Sequence, residues 1–152
     1  MQHEIVVEAI AADALAAAAA LLRRFFAEEG FAGDENKIAA NLARMVDDPH
    51  HWSALARVGG APVGVVTVTT MLYVEWGRLG EMGDLYVLPK LRQRGIARRL
   101  IASALDWCQR QGCSAVSVVI TPEAEAAHGL GKFYQRLGFE PSGRTISTKK
   151  LF

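Results

Sequence analysis

The chain has 152 residues, of which 51% are hydrophobic and 22% are charged. This length and apolar content are enough to bury a continuous core, and they predict a single domain over residues 1–152. The formal net charge of +1 provides no strong field to attract nucleic acid or an anionic membrane, so neither is expected as a partner.

Neither a membrane span nor a disulfide framework is expected from the sequence. No apolar run approaches the ~20 residues that cross a bilayer. The alanine-rich stretch 14–20 continues into an apolar helix face and lacks the basic leading segment of a signal peptide. Two cysteines, Cys108 and Cys113, are too few for a disulfide scaffold, so we predict a reduced, cytoplasmic protein.

The hydrophobic pattern predicts strands and helices in the following chain order. The predicted strands are 4–9, 53–58, 63–73, 79–88, 114–120 and 145–151. The predicted helices are 13–28 with Asp13 as cap, a second that starts after the cap Asp34 and ends before Pro49, 97–111, and 126–137. The turns at 59–62 and 74–78 are expected to form hairpins.

The helix at 97–111 connects two apolar strands, which is typical of a parallel β-α-β unit with a right-handed crossover. The other strands follow one another through short turns and are expected to be antiparallel. We therefore predict an α/β fold with a mixed, mostly antiparallel sheet and helices on both faces.

The segment Arg92–Ala97 lies between the fourth predicted strand and this helix. A helix N-terminus offers unpaired N–H groups and the positive end of the helix dipole to an anion. Gly95 lets the backbone approach a ligand, and Ala97 leaves space beside it. Arg92 and Arg94 add donors suited to phosphate oxygens, so the segment predicts a pyrophosphate site.

This segment lacks the Gly-Lys-Ser/Thr ending of a P-loop and the three-glycine spacing of a dinucleotide-binding turn. It resembles the Arg/Gln-x-x-Gly-x-Gly/Ala signature of the GNAT superfamily, the acetyl-CoA-dependent N-acetyltransferases. Asp84–Pro89 and Phe133–Phe139 also resemble family segments at the family's spacing, so the likeness covers 63–139. It implies a GNAT-like fold, acetyl-CoA as cosubstrate without a metal, and direct acetyl transfer to a primary amine.

The resemblance also implies which residues contact the cosubstrate. Backbone amides of Leu85 and Val87 correspond to those that bind the thioester carbonyl and the pantetheine arm in the family. The full predicted set is Leu85, Tyr86, Val87, Arg92, Gln93, Arg94, Gly95, Ile96, Ala97 and Arg98. Many members carry an asparagine where this chain has Ala127, and whether the adjacent His128 replaces it is left open.

Glu81 and Tyr134 are the predicted catalytic residues. An alkylamine with a pKa near ~10.4 is almost entirely protonated at pH 7, so a carboxylate must take its proton. The resemblance gives this role to Glu81, directly or through water, and gives Tyr134 the role of acid for the leaving thiolate. Without a bulge, strand alternation places Glu81 with Leu85 and Val87, and places Asp84 on the opposite side. A solvated glutamate and a core tyrosine are the structural alternatives.

Acidic and aromatic residues in the less matched segments predict an organic cation as acceptor. These predicted substrate-binding residues are Phe31, Glu35, Tyr73, Glu75, Trp76 and Asp84. They favour a small aminoglycoside-like or polyamine-like amine, although exposed charges at helix ends would give the same pattern. A protein lysine or N-terminal acetyltransferase, a non-catalytic acyl-CoA-binding regulatory module and another nucleotide-binding α/β protein stay open. Homodimers are common in the family, and no residue decides the oligomeric state.

Overall fold

The computed structural model describes residues 3–31 and 33–152. They belong to two compact units, residues 1–119 and residues 120–152. The prediction of one domain over the whole chain stays a prediction.

The larger unit contains the sheet and the helices that pack on it. Its elements are β1 (Ile5–Ala9), α1 (Leu15–Glu28), α2 (Glu35–Asp47), β2 (His51–Val58), β3 (Ala61–Tyr73), β4 (Gly77–Val87), α3 (Ile96–Arg110) and β5 (Ala115–Val118). Short 3-10 turns, Ala12–Ala14 and Pro89–Leu91, precede α1 and α3. The smaller unit contains α4 (Pro122–His128) and α5 (Leu130–Arg136).

The strands form one sheet in the order β1-β2-β3-β4-β5. Neighbours are antiparallel except β4 and β5, which are parallel and joined through α3. Gly59 and Gly60, with φ of 57° and 81°, form the two-residue turn between β2 and β3; both need the left-handed region that glycine adopts without strain. The predicted mixed sheet, its β-α-β unit and this hairpin are confirmed.

Helices cover both faces of the sheet, as predicted. On one face, α1 and α2 pack on an apolar cluster that includes Leu55, Val65 and Tyr86. On the other face, α3 comes so close to β4 that a Cβ built on Gly80 would lie 2.7 Å from Cys108 Sγ. The absence of a side chain at Gly80 therefore sets the distance between β4 and α3.

The prediction for the start of the first helix is wrong, and that for the second cap is confirmed. The chain first tightens into the 3-10 turn, where the Ala14 N–H donates to Ala11 O at 3.0 Å, so Asp13 lies inside this turn and caps nothing. Asp34 does cap α2, because its carboxylate accepts from the Asn36 N–H at 2.9 Å.

Two predictions for the smaller unit are also wrong. The predicted helix 126–137 is two helices, because Gly129 takes a φ of 60° and ends α4. The Glu125 carboxylate then accepts from the Gly131 N–H at 2.6 Å and starts α5. The predicted strand 145–151 does not form. Its apolar residues Ile146 and Leu151 are 70% and 80% exposed, so the alternating pattern there has no partner strand to stabilise it.

Candidate active site

A β-bulge in β4 decides which face Glu81 occupies. Thr67 pairs with Asp84 while Val68 pairs with Met82, so Gly83 is an extra residue on β4. Directly paired residues point to the same face, and Glu81 pairs with Thr69, two residues from Thr67 on β3. Glu81 and Asp84 therefore share the face on which α1 and α2 pack. The predicted placement of Glu81 with Leu85 and Val87, opposite Asp84, is wrong because it assumed an unbroken strand.

Two rows of polar residues cross this face of the sheet. One row runs over four neighbouring strands, and the other lies beside it, closer to the apolar cluster. The first row consists of His51, Thr69, Glu81 and Ser117. The second row consists of Ser53, Thr67 and Asp84. We call these seven residues the polar face. The apolar cluster under α1 and α2 occupies the other end of the same sheet face.

Asp84 and Thr67 hold the bulge in place. The Thr67 hydroxyl donates to the Asp84 carboxylate at 2.6 Å and accepts from the Asp84 N–H at 3.0 Å. Burial raises the pKa of Asp84, and the hydrogen bond from Thr67 lowers it by less. In the same row, the Ser53 hydroxyl is buried and has no hydrogen-bond partner within the described residues.

Beyond the bulge, one edge of β4 pairs with no strand in residues 3–31 and 33–119, and we call it the open edge. β5 pairs with β4 only as far as Met82, whereas β4 continues to Val87. The Leu88 N–H donates to Val63 O of β3 at 2.9 Å, and backbone groups alternate in direction along a strand. The N–H groups of Leu85 and Val87 therefore point away from β3, toward the open edge. This edge can pair with an extended chain that carries amide groups.

The turn before α3 has the geometry of an anion site. Gly95 precedes the helix with a φ of 85°, and no side chain caps the helix. A Cβ built on Gly95 would meet nothing within 4 Å, so the backbone is open to a ligand. The first helical N–H groups, from Ile96 to Arg98, have no carbonyl one turn back. The side chains of Gln93, Arg94 and Arg98 are exposed around this turn.

The Arg92 side chain forms hydrogen bonds within the protein, whereas the side chains of Gln93, Arg94 and Arg98 are exposed. Its Nε donates to Val87 O and its second terminal nitrogen to Glu28, both at 2.9 Å. Its guanidinium also lies 5.5 Å from the centre of the Tyr86 ring, and the Tyr86 hydroxyl donates to Glu28 at 2.7 Å. We call Glu28, Tyr86 and Arg92 the clamp, because they join the end of α1 to the end of β4.

The clamp lowers the pKa of Glu28. Burial raises this pKa, but the hydrogen bonds from Tyr86 and Arg92, with the charges of Arg92 and Arg24, outweigh burial and leave it below its ordinary value. Burial, with the neighbouring Glu28 carboxylate, raises the pKa of the Tyr86 hydroxyl. The contacts of Tyr86 and Arg92 with a cosubstrate stay predictions.

The predicted acceptor residues lie in three places. Phe31 is 66% exposed after α1, and Glu35 at the start of α2 forms an ion pair with Arg23 at 3.6 Å. Tyr73 and Trp76 lie at the β3–β4 turn with ring centres 5.5 Å apart, and Glu75 is exposed between them in sequence. Asp84 lies on the polar face.

Tyr134 lies in the smaller unit, on α5. Its ring makes edge-to-face contacts with Phe133 at 5.2 Å and Phe139 at 5.3 Å. Burial raises the pKa of Tyr134 to about 12, so the phenol keeps its proton at any physiological pH. This state is required of an acid for a leaving thiolate. Nearby, Ala127 and His128 are exposed at the end of α4.

Sequence reasoning did not find the threonines of the polar face or the Glu28 partner of Arg92. The signal for the threonines was present, since Thr67 and Thr69 alternate with Val66 and Val68 in a largely apolar strand. No group of His, Cys, Asp and Glu in residues 3–31 and 33–152 could hold a metal ion. No helix in these two ranges has the length and apolar content of a membrane span.

Comparison with known families decides the classification. The family described as Acetyltransferase (GNAT) matches residues 15–139. The chain belongs to the GNAT acetyltransferase family. The resemblance seen in Arg92–Ala97 and its flanking segments is thereby confirmed.

Several GNAT relatives resemble the chain over part or all of its length. Aminoglycoside N(6')-acetyltransferase type 1 of Salmonella typhimurium is 38% identical over 66 residues, which are 43% of each chain. The chain thus spans less than half of that relative. The Serratia marcescens protein of the same description is 27% identical over 73% of this chain and 77% of its own.

Among solved structures, aminoglycoside N-acetyltransferase AAC(6')-Iy in complex with CoA has a TM-score of 0.86 and 22% identity. The match covers 100% of this chain and 98% of the other. This likeness confirms the GNAT fold.

Proposed function

We propose that this chain is an N-acetyltransferase that moves an acetyl group from acetyl-CoA directly to a primary amine of a small cationic molecule, aminoglycoside-like or polyamine-like. The observation that carries the proposal is the open edge of β4, which begins beyond Glu81 and Met82 and is followed in sequence by the uncapped start of α3. A carboxylate, amide donors and an anion site thus follow one another along one stretch of the chain, from Glu81 to Arg98. The names of the relatives in Salmonella and Serratia support an aminoglycoside-like amine.

The chain's residues fit acetyl-CoA in two respects. The open backbone at Gly95 leaves room for a diphosphate at the start of α3, and Arg94 and Arg98 are exposed beside it. The N–H groups of Leu85 and Val87 suit an amide-containing arm and a thioester carbonyl, which gathers negative charge as the amine attacks. Gln93, Ile96 and Ala97 would complete the contacts around the phosphates.

Glu81 is proposed to take a proton from the acceptor ammonium, directly or through water. The freed amine nitrogen attacks the thioester carbonyl carbon, the carbon–sulfur bond breaks, and the sulfur leaves as a thiolate. Tyr134 is proposed to donate its proton to that thiolate. The acylated nitrogen then loses its second proton to water, and the Tyr134 phenolate takes a proton back from water. Phe31, Glu35, Tyr73, Glu75, Trp76 and Asp84 are proposed to contact the acceptor.

Ligand-dependent melting tests cosubstrate binding. At a concentration 100 times the dissociation constant, acetyl-CoA should add about 2.7 kcal/mol to the free energy of unfolding. This corresponds to a rise in melting temperature of about 5–10 °C for a chain of this size. ATP and NAD at the same concentration are the controls. Equal shifts with all three ligands, or no shift with acetyl-CoA, would exclude the proposed cosubstrate.

Thiol release then tests acetyl transfer, with kanamycin A, spermidine and an alanine-initiated peptide as amines. We expect release with kanamycin A or spermidine, and a loss of at least about 100-fold in kcat for Glu81→Gln with unchanged acetyl-CoA binding. Turnover of the peptide alone would favour a protein acetyltransferase. Acetyl-CoA binding without turnover of any amine would favour a regulatory module.

We also propose that the protein forms a homodimer, as is common in this family. Sedimentation of the chain at micromolar concentration measures this directly, and a monomer mass would reject it.

A further inference from the structure

A chain of polar contacts leads from the end of α2 to the neighbour of Glu81. His51 Nδ1 lies 3.0 Å from Thr69 Oγ1, and His51 Nε2 lies 3.6 Å from an Asp48 carboxylate oxygen. Thr69 is in turn the direct cross-strand partner of Glu81. Directly paired residues have Cβ atoms about 4.5–5.5 Å apart, so the Thr69 hydroxyl and the Glu81 carboxylate can bind the same small group.

The Asp48 carboxylate determines how the His51 ring is used. A carboxylate near Nε2 favours the tautomer with its proton on that nitrogen. In this neutral tautomer Nδ1 is an acceptor, and the Thr69 hydroxyl donates to it. The hydroxyl has one hydrogen, so the side of Thr69 Oγ1 that faces away from His51 can only accept a hydrogen bond.

Asp48 is itself well placed to hold the ring. It lies at the end of α2, where its carboxylate also accepts from the His50 N–H at 2.9 Å. Asp48 and His51 also line a cavity of about 260 Å³ with Asn41, Arg44 and Met45. Thr69 is half-buried and the Asp48 side chain is 44% exposed, so His51 lies between a half-buried hydroxyl and a surface carboxylate.

We propose that Thr69 is a second ligand of the acceptor amine beside Glu81, and that His51, held by Asp48, is the positioning residue that keeps the Thr69 oxygen as an acceptor. This inference rests on the proposed function. An alkylammonium has three N–H donors, so it can give one to Glu81 and one to Thr69. Two acceptors at a fixed spacing select a primary amine over a tertiary one, which has too few N–H groups to bind both.

Kinetics with Thr69→Val and Thr69→Ser test the role of the hydroxyl. The probe is whichever of kanamycin A and spermidine the unmodified protein acetylates faster. Thr69→Val keeps the shape and removes the hydroxyl, and it should raise the KM for the amine about tenfold or more, the cost of a lost hydrogen bond to a charged group. The KM for acetyl-CoA should stay the same. Thr69→Ser should keep the amine KM within about threefold.

His51→Leu and the double variant test positioning. His51→Leu frees the Thr69 hydroxyl to rotate and should raise the KM for the amine about threefold. The amide oxygen of Asn can lie near the position of Nδ1, so His51→Asn should keep the KM for the amine at its original value. In a double-mutant cycle, His51→Leu should add nothing once Thr69 is valine. His50→Ala is the matched control, because the neighbouring ring contacts Arg78 at 3.3 Å instead and should not change the amine KM.

The outcomes separate this inference from the proposed function. If no amine of the panel is acetylated, both are rejected. If the amine is acetylated and Thr69→Val leaves its KM unchanged, or changes the KM for acetyl-CoA equally, only the inference is rejected. Additive effects of the His51 and Thr69 substitutions would reject the positioning role of His51.

Discussion

Tyr134 combines a buried aromatic ring with a hydroxyl whose pKa is raised to about 12 by that burial. We predict that Tyr134→Phe lowers kcat about 100-fold, because the leaving thiolate loses its acid. The edge-to-face contacts with Phe133 and Phe139 need only the ring, so the melting temperature should change little. Steady-state kinetics with a melting curve check both statements, and an unchanged kcat would remove Tyr134 from the mechanism.

The pH dependence of this acid follows from the direction of the shift. Because the pKa is raised, the phenol stays protonated well above pH 10. The rate of the unmodified protein should therefore show no loss from Tyr134 ionisation between pH 8 and pH 10. A decline in this range that Tyr134→Phe abolishes would show that Tyr134 ionises there, and would contradict the raised pKa of its phenol.

Two substitutions at Asp84 distinguish the effect of its charge on stability from the effect of its hydrogen bond. Its pKa is raised by burial, so the ionised form costs folding free energy, and this cost develops as pH rises through the range between the unfolded and the folded pKa. Asp84→Asn keeps an acceptor for Thr67 without the charge, and we predict an equal or higher melting temperature at pH 7. Asp84→Ala leaves the O–H of the buried Thr67 hydroxyl without its acceptor and should cost about 1–3 kcal/mol. Equal melting temperatures for the two variants would contradict this account.

At the residue scale, the sequence predicted the turn at Gly95 before α3 but not the orientation of the side chains on β4. Gly95 and its neighbours carry a local signature, since a turn and a helix start are encoded by adjacent residues. The face occupied by Glu81 depends on the bulge at Gly83, which is defined only by pairing with Thr67 on another strand. A partner distant in sequence is invisible to alternation along one strand.

α3 packs closely against β4 because Gly80 has no side chain. We predict that Gly80→Ala costs about 1–3 kcal/mol, since the new methyl would overlap Cys108 Sγ at 2.7 Å. This should lower the melting temperature by several degrees. Cys108→Ala in the same chain removes the sulfur and should recover most of the loss. A double variant no more stable than Gly80→Ala would show that the strain lies elsewhere.

The clamp joins two elements and is expected to contribute as a unit. Glu28→Ala and Arg92→Ala should each cost about 1 kcal/mol or less, because the pair is partly exposed, at 39% and 36% of the side chains. The double variant should cost less than the sum of the two losses. Arg94→Ala, an exposed control, should weaken acetyl-CoA binding without changing the melting temperature. Additive losses at Glu28 and Arg92 would contradict a shared clamp.

Elements were predictable where their signals are local. Asp34 caps α2 by accepting from a residue two positions away. Gly59 and Gly60 form the turn before β3 through their own backbone angles. The break at Gly129 was missed because a single glycine inside an apolar helical pattern costs only about 1 kcal/mol, so the pattern alone does not show whether the helix continues. The strand expected at 145–151 failed for another reason, since a strand needs a partner that its own residues do not encode.

The whole chain divides into two compact units, whereas the GNAT family match runs across both, from 15 to 139. We predict that calorimetry shows one cooperative transition whose calorimetric and van't Hoff enthalpies agree, as expected if residues 1–152 fold as one domain. Acetyl-CoA should move this transition upward as a whole. Two separable transitions would reject the single-domain prediction.

Composition indicated that the chain can bury a core, because the apolar content is the same for any arrangement of the elements. It did not predict how the chain is divided. The division depends on which parts of the chain contact each other most densely. These contacts join residues that are distant in sequence, so a local sequence pattern does not predict them.

The open edge of β4 also affects how copies of the protein behave together. Unpaired backbone groups on a strand are a template for any extended polypeptide, including a partly unfolded copy of the same chain. A ligand lying along Leu85 and Val87 would occupy that template. Bound acetyl-CoA would then slow aggregation in addition to serving as the acetyl donor. Concentrated solutions of the protein stored with acetyl-CoA would therefore stay clear for longer than solutions stored without it.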